Sequence, residues 1–161
     1  MPELRTPEVE RYWRAFCQHS DVPADQRFDV FDFGDSPEMA HELAALVVDG
    51  PKQATAGLLV DYEQEGELLP EVGTYSVVVD GRGDPACVLR TTQVELKPFS
   101  KVDAEFAWDE GEGDRSLESW LAGHRAYFSR DLARHGLGFS DDMLVVLERF
   151  ELAWPAPAQV R

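Results

Sequence analysis

A lysine, a threonine hydroxyl and a group of carboxylates lie at the edges of predicted elements in this chain. Lys52 and Thr55 belong to Gly50-Pro51-Lys52-Gln53-Ala54-Thr55, and the acids belong to Asp109-Glu110-Gly111-Glu112-Gly113-Asp114. If folding brings them together, they form a hydrolytic set with a hydroxyl nucleophile, an amine base and a carboxylate. The chain has three lysines and twelve arginines. Because a desolvated lysine can lose its proton and an arginine cannot, a lysine at this position hints at chemistry.

Each of these features also has a purely structural explanation. Residues three apart on a strand face opposite ways, so Lys52 and Thr55 share a pocket only if a turn or bulge intervenes. Otherwise they are a surface lysine and an ordinary strand threonine. The acidic segment can be a solvated loop whose acids favour the N-terminus of the next helix. Alternatively one carboxylate, Glu110 or Glu112, turns inward near Lys52 and orients the amine or shuttles a proton.

Clustered carboxylates also suit hard cations. The acidic segment, however, lacks the alternating six-ligand pattern of a calcium loop, so we predict no metal and no cofactor. His124 follows Trp120 by one turn on the apolar stripe of a long predicted helix. This position predicts a core histidine with one satisfied nitrogen, and a pocket-lining role stays open.

Composition predicts one soluble domain over residues 1–161. With 43% apolar residues the chain can bury a substantial core. No run approaches the roughly 18 apolar residues of a membrane-spanning helix, and the N-terminus lacks the pattern of a signal peptide. Cys17 and Cys87 are too few for a disulfide framework. We therefore expect a cytoplasmic protein with reduced thiols and no membrane partner, either a monomer or a weak dimer.

The net charge of −16 restricts the partners of the chain. Phosphate contacts drive nonspecific binding to nucleic acid, and an acidic surface opposes them. The charge is compatible with small ligands, or with single-stranded RNA bound at one site. It argues against duplex DNA. The charge is also explained by solubility alone.

Periodicity and turn signals predict three helices around a central group of strands. The signals Thr6-Pro7-Glu8 and Ser36-Pro37-Glu38 each combine a capping hydroxyl, a proline and an acid. The helices are expected at 6–19, 36–49 and 116–135, and the strands at 27–33, 54–62, 72–80, 85–96 and 143–154. A glycine-rich turn at 80–84 joins two strands as an antiparallel pair. This order predicts an α+β fold, with an antiparallel barrel of five to seven strands flanked by the three α-helices.

The chain resembles the ASCH (activating signal cointegrator homology) family, which is similar to the PUA RNA-binding domain. Three stretches carry the likeness. The first, residues 42–56, is a helix that runs into the family's G-x-K-x-x-T pattern at Gly50, Lys52 and Thr55. The second is residues 83–89 with Val94 and Lys97-Pro98-Phe99. The third and most specific is Phe106-Ala107, Glu110-Gly111-Glu112-Gly113-Asp114-Arg115-Ser116-Leu117-Glu118-Ser119-Trp120, His124 and Phe128. The likeness covers about residues 28–153, with the N-terminal helix 6–19 packed on that core.

The resemblance implies a PUA-like β-barrel with a cleft beneath the helices, and a role with RNA or modified nucleosides. Some small bacterial members hydrolyse N4-acetylcytidine, with a Lys, a Thr three residues later and a Glu as the proposed catalytic set. Carried over, Lys52 is the base, Thr55 the nucleophile and Glu112 the carboxylate, with Glu110 as the alternative. Those members lack the full Glu-Gly-Glu-Gly-Asp stretch, and another member has been described as a ribonuclease.

Three functions of different classes follow. The first is a hydrolase of an N4-acylated cytidine, in which burial keeps Lys52 neutral and replacement of Lys52 leaves the stability of the fold nearly intact. The second is a module that binds or cleaves RNA through a basic cleft with stacking aromatic residues. The third is a domain that binds a nucleotide or metabolite without catalysis. The residues expected to bind the substrate are Arg90, Lys97, Trp120, His124 and Arg125, with Arg82 as a further candidate for a basic cleft.

Overall fold

The computed structural model describes residues 4–155. In this range the helices are α1 (Pro7–Ser20), α2 (Pro37–Asp49), α3 (Leu59–Glu65), α4 (Ala104–Glu110) and α5 (Leu117–Ala133). The strands are β1 (Phe28–Phe31), β2 (Ala54–Leu58), β3 (Tyr75–Val79), β4 (Pro85–Pro98) and β5 (Leu144–Trp154). A short 3-10 turn, Phe99–Lys101, follows β4. None of the helices within residues 4–155 has the length and apolar character to cross a membrane.

The strands form one mixed sheet in the order β1-β3-β4-β5-β2. The β3–β4 and β2–β5 pairs are antiparallel, and the hairpin predicted at 80–84 is confirmed. The β1–β3 pair is parallel, contrary to an all-antiparallel sheet. Two helices lie between these strands along the chain, and a connection of that length lets β3 run in the same direction as β1. The α+β class is confirmed, and in the described residues β1 and β2 are the open ends of the strand order.

The three predicted helices are confirmed as α1, α2 and α5, whereas α3 and α4 were not predicted. The strand expected over 54–62 ends at Leu58, where the chain turns into α3. The sequence of α3 contains β-branched and aromatic residues, which favour a strand as much as a helix. A seven-residue helix is too short for its period to show, and its end is marked by Gly66 with φ +66°.

The chain divides into two compact units, and the prediction of one domain stays a prediction. Of the described residues, one unit contains 4–50, Val72–Thr92 and 150–155. Its helix α1 begins where the Thr6 hydroxyl accepts a hydrogen bond from Val9 N at 3.2 Å. The predicted apolar stripe of α1 is buried in this unit together with side chains of β1, β3 and β4; the buried members are Val9, Trp13, Phe16, Cys17, Phe28, Val77, Val79 and Val88.

The second unit contains Pro51–Glu71 and Gln93–Arg149, and it carries Lys52, Thr55, Glu110, Glu112, Trp120 and His124. Side chains of β2 and β5 pack there against α4, α5 and the 3-10 turn, and the core is Ala54, Leu58, Phe99, Val102, Phe106, Ala107, Trp120, Phe128, Leu132, Val145 and Leu147. Both helices are capped at their N-termini. Asp103 accepts a hydrogen bond from Phe106 N at 2.9 Å, and Ser116 accepts one from Ser119 N at 3.1 Å.

Candidate functional site

Lys52 lies just before β2 and is 2% exposed. Its Nζ donates hydrogen bonds to Ala54 O at 2.9 Å, to Glu110 Oε1 at 3.1 Å and to Glu112 Oε2 at 2.5 Å. A buried ammonium ion is costly unless its N–H groups find acceptors and opposite charge. The acidic segment supplies both. Of the two alternatives for this segment, the inward-turned glutamate is the one present, and both Glu110 and Glu112 contact Lys52.

Two backbone contacts hold Lys52 against the end of α4. Gln53 N donates a hydrogen bond to Asp109 O at 2.7 Å. Gly111 ends α4 with φ +68°, and a Cβ atom there would lie 2.4 Å from Pro51 O. Only glycine has both the positive φ and the space for this approach. The Glu-Gly-Glu pattern therefore places one acid on each side of the contact that positions the lysine.

Glu110 is also the acceptor for two side chains of α5. Trp120 Nε1 donates a hydrogen bond to Glu110 Oε2, and His124 Nε2 lies 2.9 Å from the same oxygen. The other ring nitrogen of His124, Nδ1, lies 3.0 Å from Trp120 O. The two rings stack with centroids 4.0 Å apart. Because residues four apart share a helix face, the spacing of Trp120 and His124 allows both to reach one buried carboxylate.

Five side chains form one hydrogen-bonded network, called the Lys52 network below: Lys52, Glu110, Glu112, Trp120 and His124. Burial by itself raises the pKa of Glu110, but Lys52 and His124 outweigh it and bring that pKa to about 2. Burial by itself lowers the pKa of Lys52, yet Glu110 and Glu112 raise it above its ordinary value. Burial likewise lowers the pKa of His124, and Glu110 raises it. The network therefore contains an ionised Glu110 next to an ammonium ion.

The prediction of a neutral Lys52 is wrong for this arrangement. It rested on desolvation, which does favour the neutral amine. Together, the two carboxylates within 3.1 Å of the ammonium outweigh this desolvation and raise the pKa of Lys52. Lys52 thus donates hydrogen bonds and supplies positive charge.

Glu112 connects this network to solvent. Its side chain is 30% exposed, whereas those of Glu110 and Lys52 are 1% and 0% exposed. A bound molecule can therefore reach the side chain of Glu112 while Lys52 Nζ donates a hydrogen bond to its Oε2. Glu110, His124 and Trp120 support the network from the protein side, and Trp120 is itself 5% exposed.

Three of these groups have the spacing of a metal site. One ligand atom each from Glu110, Glu112 and His124 lie within 4.8 Å of one another. The Lys52 ammonium already accompanies both carboxylates, and a metal ion would face that positive charge. The donor set therefore fits a metal poorly as long as Lys52 is protonated.

Thr55 lies on β2 directly opposite Glu148 of β5. Ala54, Ala56 and Leu58 belong to or pack against the core that contains Trp120. Because side chains alternate along a strand, Thr55 faces the other way. Lys52 and Thr55 therefore face opposite ways, as expected for residues three apart on a strand without an intervening turn. The role of Thr55 as nucleophile stays a prediction.

The basic residues expected to bind a substrate are each paired with an acid. Arg90 lies 3.5 Å from Glu151, Lys97 lies 3.9 Å from Glu95, and Arg125 Nη1 donates a hydrogen bond to Asp141 Oδ1 at 2.5 Å. Lys97 and Arg125 thus pair with acids outside the Lys52 network. Their charges are largely compensated, which weakens the case for a basic cleft.

Two residues beside the network were not anticipated. Trp108 of α4 is 56% exposed, and the Arg115 guanidinium lies 3.8 Å from its ring centroid. Apolar periodicity cannot identify an exposed aromatic residue in a helix of seven residues. The signal in the sequence was a tryptophan directly before the acidic segment and an arginine directly after it, seven residues later.

The chain is similar to a family model and to solved structures. The model of the ASCH domain matches residues 29–153. The ASCH domain of Lactobacillus crispatus JV V101 is 32% identical over 92% of this chain and 95% of its own, with a TM-score of 0.85. Protein EF3133 of Enterococcus faecalis V583, a DUF984 member, is 38% identical over 91% of this chain and 90% of its own, with a TM-score of 0.82. No curated protein matches the chain.

Proposed function

The chain belongs to the ASCH domain family, and we propose that it recognises an unpaired nucleoside with an exocyclic N–H group, such as cytidine or an N4-acylated cytidine. The proposal agrees with the association with RNA and modified nucleosides that the family resemblance implies. The ligand is a small nucleoside or one nucleotide of a single-stranded RNA.

The observation that carries the proposal is that the side chain of Glu112 is partly exposed while its carboxylate is bound by Lys52. Its Oε2 is 2.5 Å from Lys52 Nζ, and its side chain keeps 30% exposure. A carboxylate is an acceptor-only group that suits the N4–H of cytosine. The buried Lys52 fixes the side chain before any ligand arrives, which reduces the ordering cost of binding. Uridine presents an O4 acceptor at that position, which a carboxylate repels.

Calorimetric titration of the full chain with cytidine, N4-acetylcytidine and uridine tests the proposal. We expect both cytidines to bind more tightly than uridine. Glu112→Gln should reduce this preference roughly tenfold or more, because a good base-edge hydrogen-bond pair contributes about 1–3 kcal/mol to discrimination. Glu118→Gln, at an exposed acid in the first turn of α5, is the matched control. Equal binding of all three nucleosides, or none, would contradict the proposal.

A second candidate function is hydrolysis of the N4-acyl group, favoured by the buried ammonium next to an accessible carboxylate. Clustered ionisable groups of this kind are common in catalytic sites. In this reaction water adds to the acyl carbonyl and the C–N bond breaks. Glu112 carries the proton from the water to the leaving N4 amine, and cytidine and a carboxylic acid are released. Lys52, as a cation, orients Glu112.

Chromatography of N4-acetylcytidine incubated with the protein tests this second candidate. We expect cytidine and acetate to appear, and Glu112→Gln to lose orders of magnitude in rate. Thr55→Val separates two routes. Loss of turnover with a normal nucleoside affinity would support Thr55 as nucleophile, and full turnover would leave water as the nucleophile. Wild-type protein that binds the nucleoside and releases no cytidine would exclude hydrolysis and leave the binding function.

A further inference from the structure

The indole of Trp108 is held in a fixed position at the surface. It is the one aromatic residue among the large apolar side chains that are exposed within residues 4–155. Its neighbours in α4 are fixed: Ala107 is buried in the core, and Asp109 Oδ2 accepts from Arg149 Nε at 3.0 Å. The carbonyl of Asp109 accepts from Gln53 N at 2.7 Å. The backbone of α4 therefore has little freedom, and the exposure of Trp108 is a consequence of how the helix is anchored.

Arg115 is held against this indole by its side chain and its backbone. Its Cζ lies 3.8 Å from the ring centroid, and its Nε donates a hydrogen bond to Trp108 O at 2.9 Å. Its N–H donates to Glu112 O at 3.0 Å. Its φ of +66° lies in the left-handed region, which a side chain of this size rarely adopts. Strain of this kind persists where the surrounding structure imposes it, and such positions cluster at ligand sites.

The pair has the chemistry of a nucleotide-stacking surface. An indole and a guanidinium are both planar, and unpaired bases stack on either with little sequence preference. The guanidinium carries two more nitrogens whose N–H groups suit phosphate oxygens. Cytidine alone has no phosphate, so the guanidinium N–H groups can bind phosphate oxygens only in a ligand with a further nucleotide. Because Arg115 and Glu112 share a turn, the surface lies one short turn from the proposed base site.

We infer that Trp108 and Arg115 stack on the nucleotide next to the base bound at Glu112, so that the preferred ligand is a short single-stranded RNA. This inference rests on the proposed function for the identity of the first base. It names a second, independent contact and predicts that a cytidine-containing oligoribonucleotide binds more tightly than cytidine.

The test compares cytidine with a cytidine-containing tetraribonucleotide by titration against the full chain. Trp108→Ala should weaken tetranucleotide binding roughly 5- to 100-fold and leave cytidine binding within twofold, while Trp108→Phe retains most of the affinity. Leu68→Ala, at a side chain that is 72% exposed, is the control for loss of exposed apolar surface. Arg115→Gly removes the guanidinium and relieves the positive φ, so it should weaken tetranucleotide binding without lowering Tm.

The outcomes separate the two proposals. If Trp108→Ala weakens tetranucleotide binding while Glu112→Gln has no effect, the stacking surface is supported and the assignment of Glu112 as the base site is wrong. If cytidine binding depends on Glu112 while the tetranucleotide binds no more tightly than cytidine, the stacking surface is wrong. A lower Tm for Arg115→Gly with unchanged RNA affinity would show that the pair serves the fold alone. A self-association removed by Trp108→Ala, with RNA affinity unchanged, would make the surface a protein contact and overturn the inference.

Discussion

Two clusters in the unit that holds the candidate site each combine two carboxylates with a histidine. One consists of Glu110, Glu112 and His124, and the other of Asp61, Asp131 and His135. In both, the ligand atoms lie within 4.8 Å of one another. The pKa values of their carboxyl groups are nevertheless shifted in opposite directions. The pKa of Glu110 is lowered to about 2, whereas burial, the hydrogen bond with Asp131 and the nearby negative charges raise the pKa of Asp61 to about 7.

The difference is the lysine. Lys52 gives the first cluster a buried cation that both carboxylates accept from. In the second, Arg134 lies 3.6 Å from Asp131, and the carboxylate of Asp61 lies within 4.8 Å of that of Asp131. Burial and the neighbouring Asp131 carboxylate favour the protonated form of Asp61 in this cluster instead. The comparison shows that residue types alone do not determine the charge of such a cluster.

The largest expected effect comes from removing that cation. Lys52→Met leaves Glu110 buried beside Glu112 without the ammonium, and breaking a buried ion pair costs about 3–5 kcal/mol. We expect denaturant unfolding at pH 7 to show a loss of this size, contrary to the expectation that replacing Lys52 spares stability. Lys101→Met, at an exposed lysine, is the control. An unchanged midpoint for Lys52→Met would show that the network adds nothing to stability.

Acid should weaken the first cluster. A folded-state pKa of about 2 lies below the ordinary value of 4.5 for Glu110. Ionised Glu110 therefore stabilises the fold fully above pH 4.5. This stabilisation is lost as the pH falls from 4.5 toward 2, by about 2 kcal/mol between pH 5 and pH 3. Unfolding curves at these two pH values measure it. Glu110→Gln should be less stable at pH 7 and lose less on acidification, whereas exposed Glu105→Gln should follow the wild type. Equal acid losses in all three proteins would refute the ionised, ammonium-bound Glu110.

Disturbing the approach of Gly111 to Pro51 should have a somewhat smaller effect. An alanine Cβ at Gly111 would lie 2.4 Å from Pro51 O, on a backbone with φ +68°. We expect Gly111→Ala to cost about 2 kcal/mol through strain and overpacking and to weaken nucleoside binding, because Lys52 and Glu112 flank the contact. Gly66→Ala has a similar φ of +66° and open space around its Cβ, so it isolates the backbone strain. Equal losses in the two variants would show that the close approach is unimportant.

The smallest effect is expected at the second cluster. A raised pKa means that folded Asp61 holds its proton up to about pH 7, so stability is present at low pH and falls as the pH rises from about 4 to 7. Asp61→Asn should be more stable than the wild type at pH 8, on the order of 1 kcal/mol after solvent screening, with little difference at pH 4. Melting curves at both values test this, with exposed Glu63→Gln as the control. A variant less stable than the wild type at pH 8 would contradict the raised pKa of Asp61.

Local sequence signals were sufficient for the longer elements. The capping residues and the stripes of α1, α2 and α5 act within a few residues of each other, so the sequence alone predicts these helices. The turn at 80–84 likewise determines the β3–β4 pair locally. The short helices α3 and α4 lack that information. Their seven residues hold fewer than two complete turns, and packing decides their conformation.

The sequence alone also determined which residues could meet: the Lys52 motif and the Glu-Gly-Glu stretch were identified as one set, and the structure joins them. Only the tertiary structure determined the charge of these residues and therefore their chemistry. A pKa depends on distances and burial, so a lysine that sequence reasoning takes as a neutral base becomes a cation once two carboxylates lie within 3.1 Å. The face of β2 on which Thr55 lies, and the pairing of Trp108 with Arg115, likewise depend on strand register and backbone conformation. The register of β2 is set by β5, which is distant in the chain, and the Trp108–Arg115 pair depends on the left-handed backbone of Arg115; neither has a clear signature in the sequence.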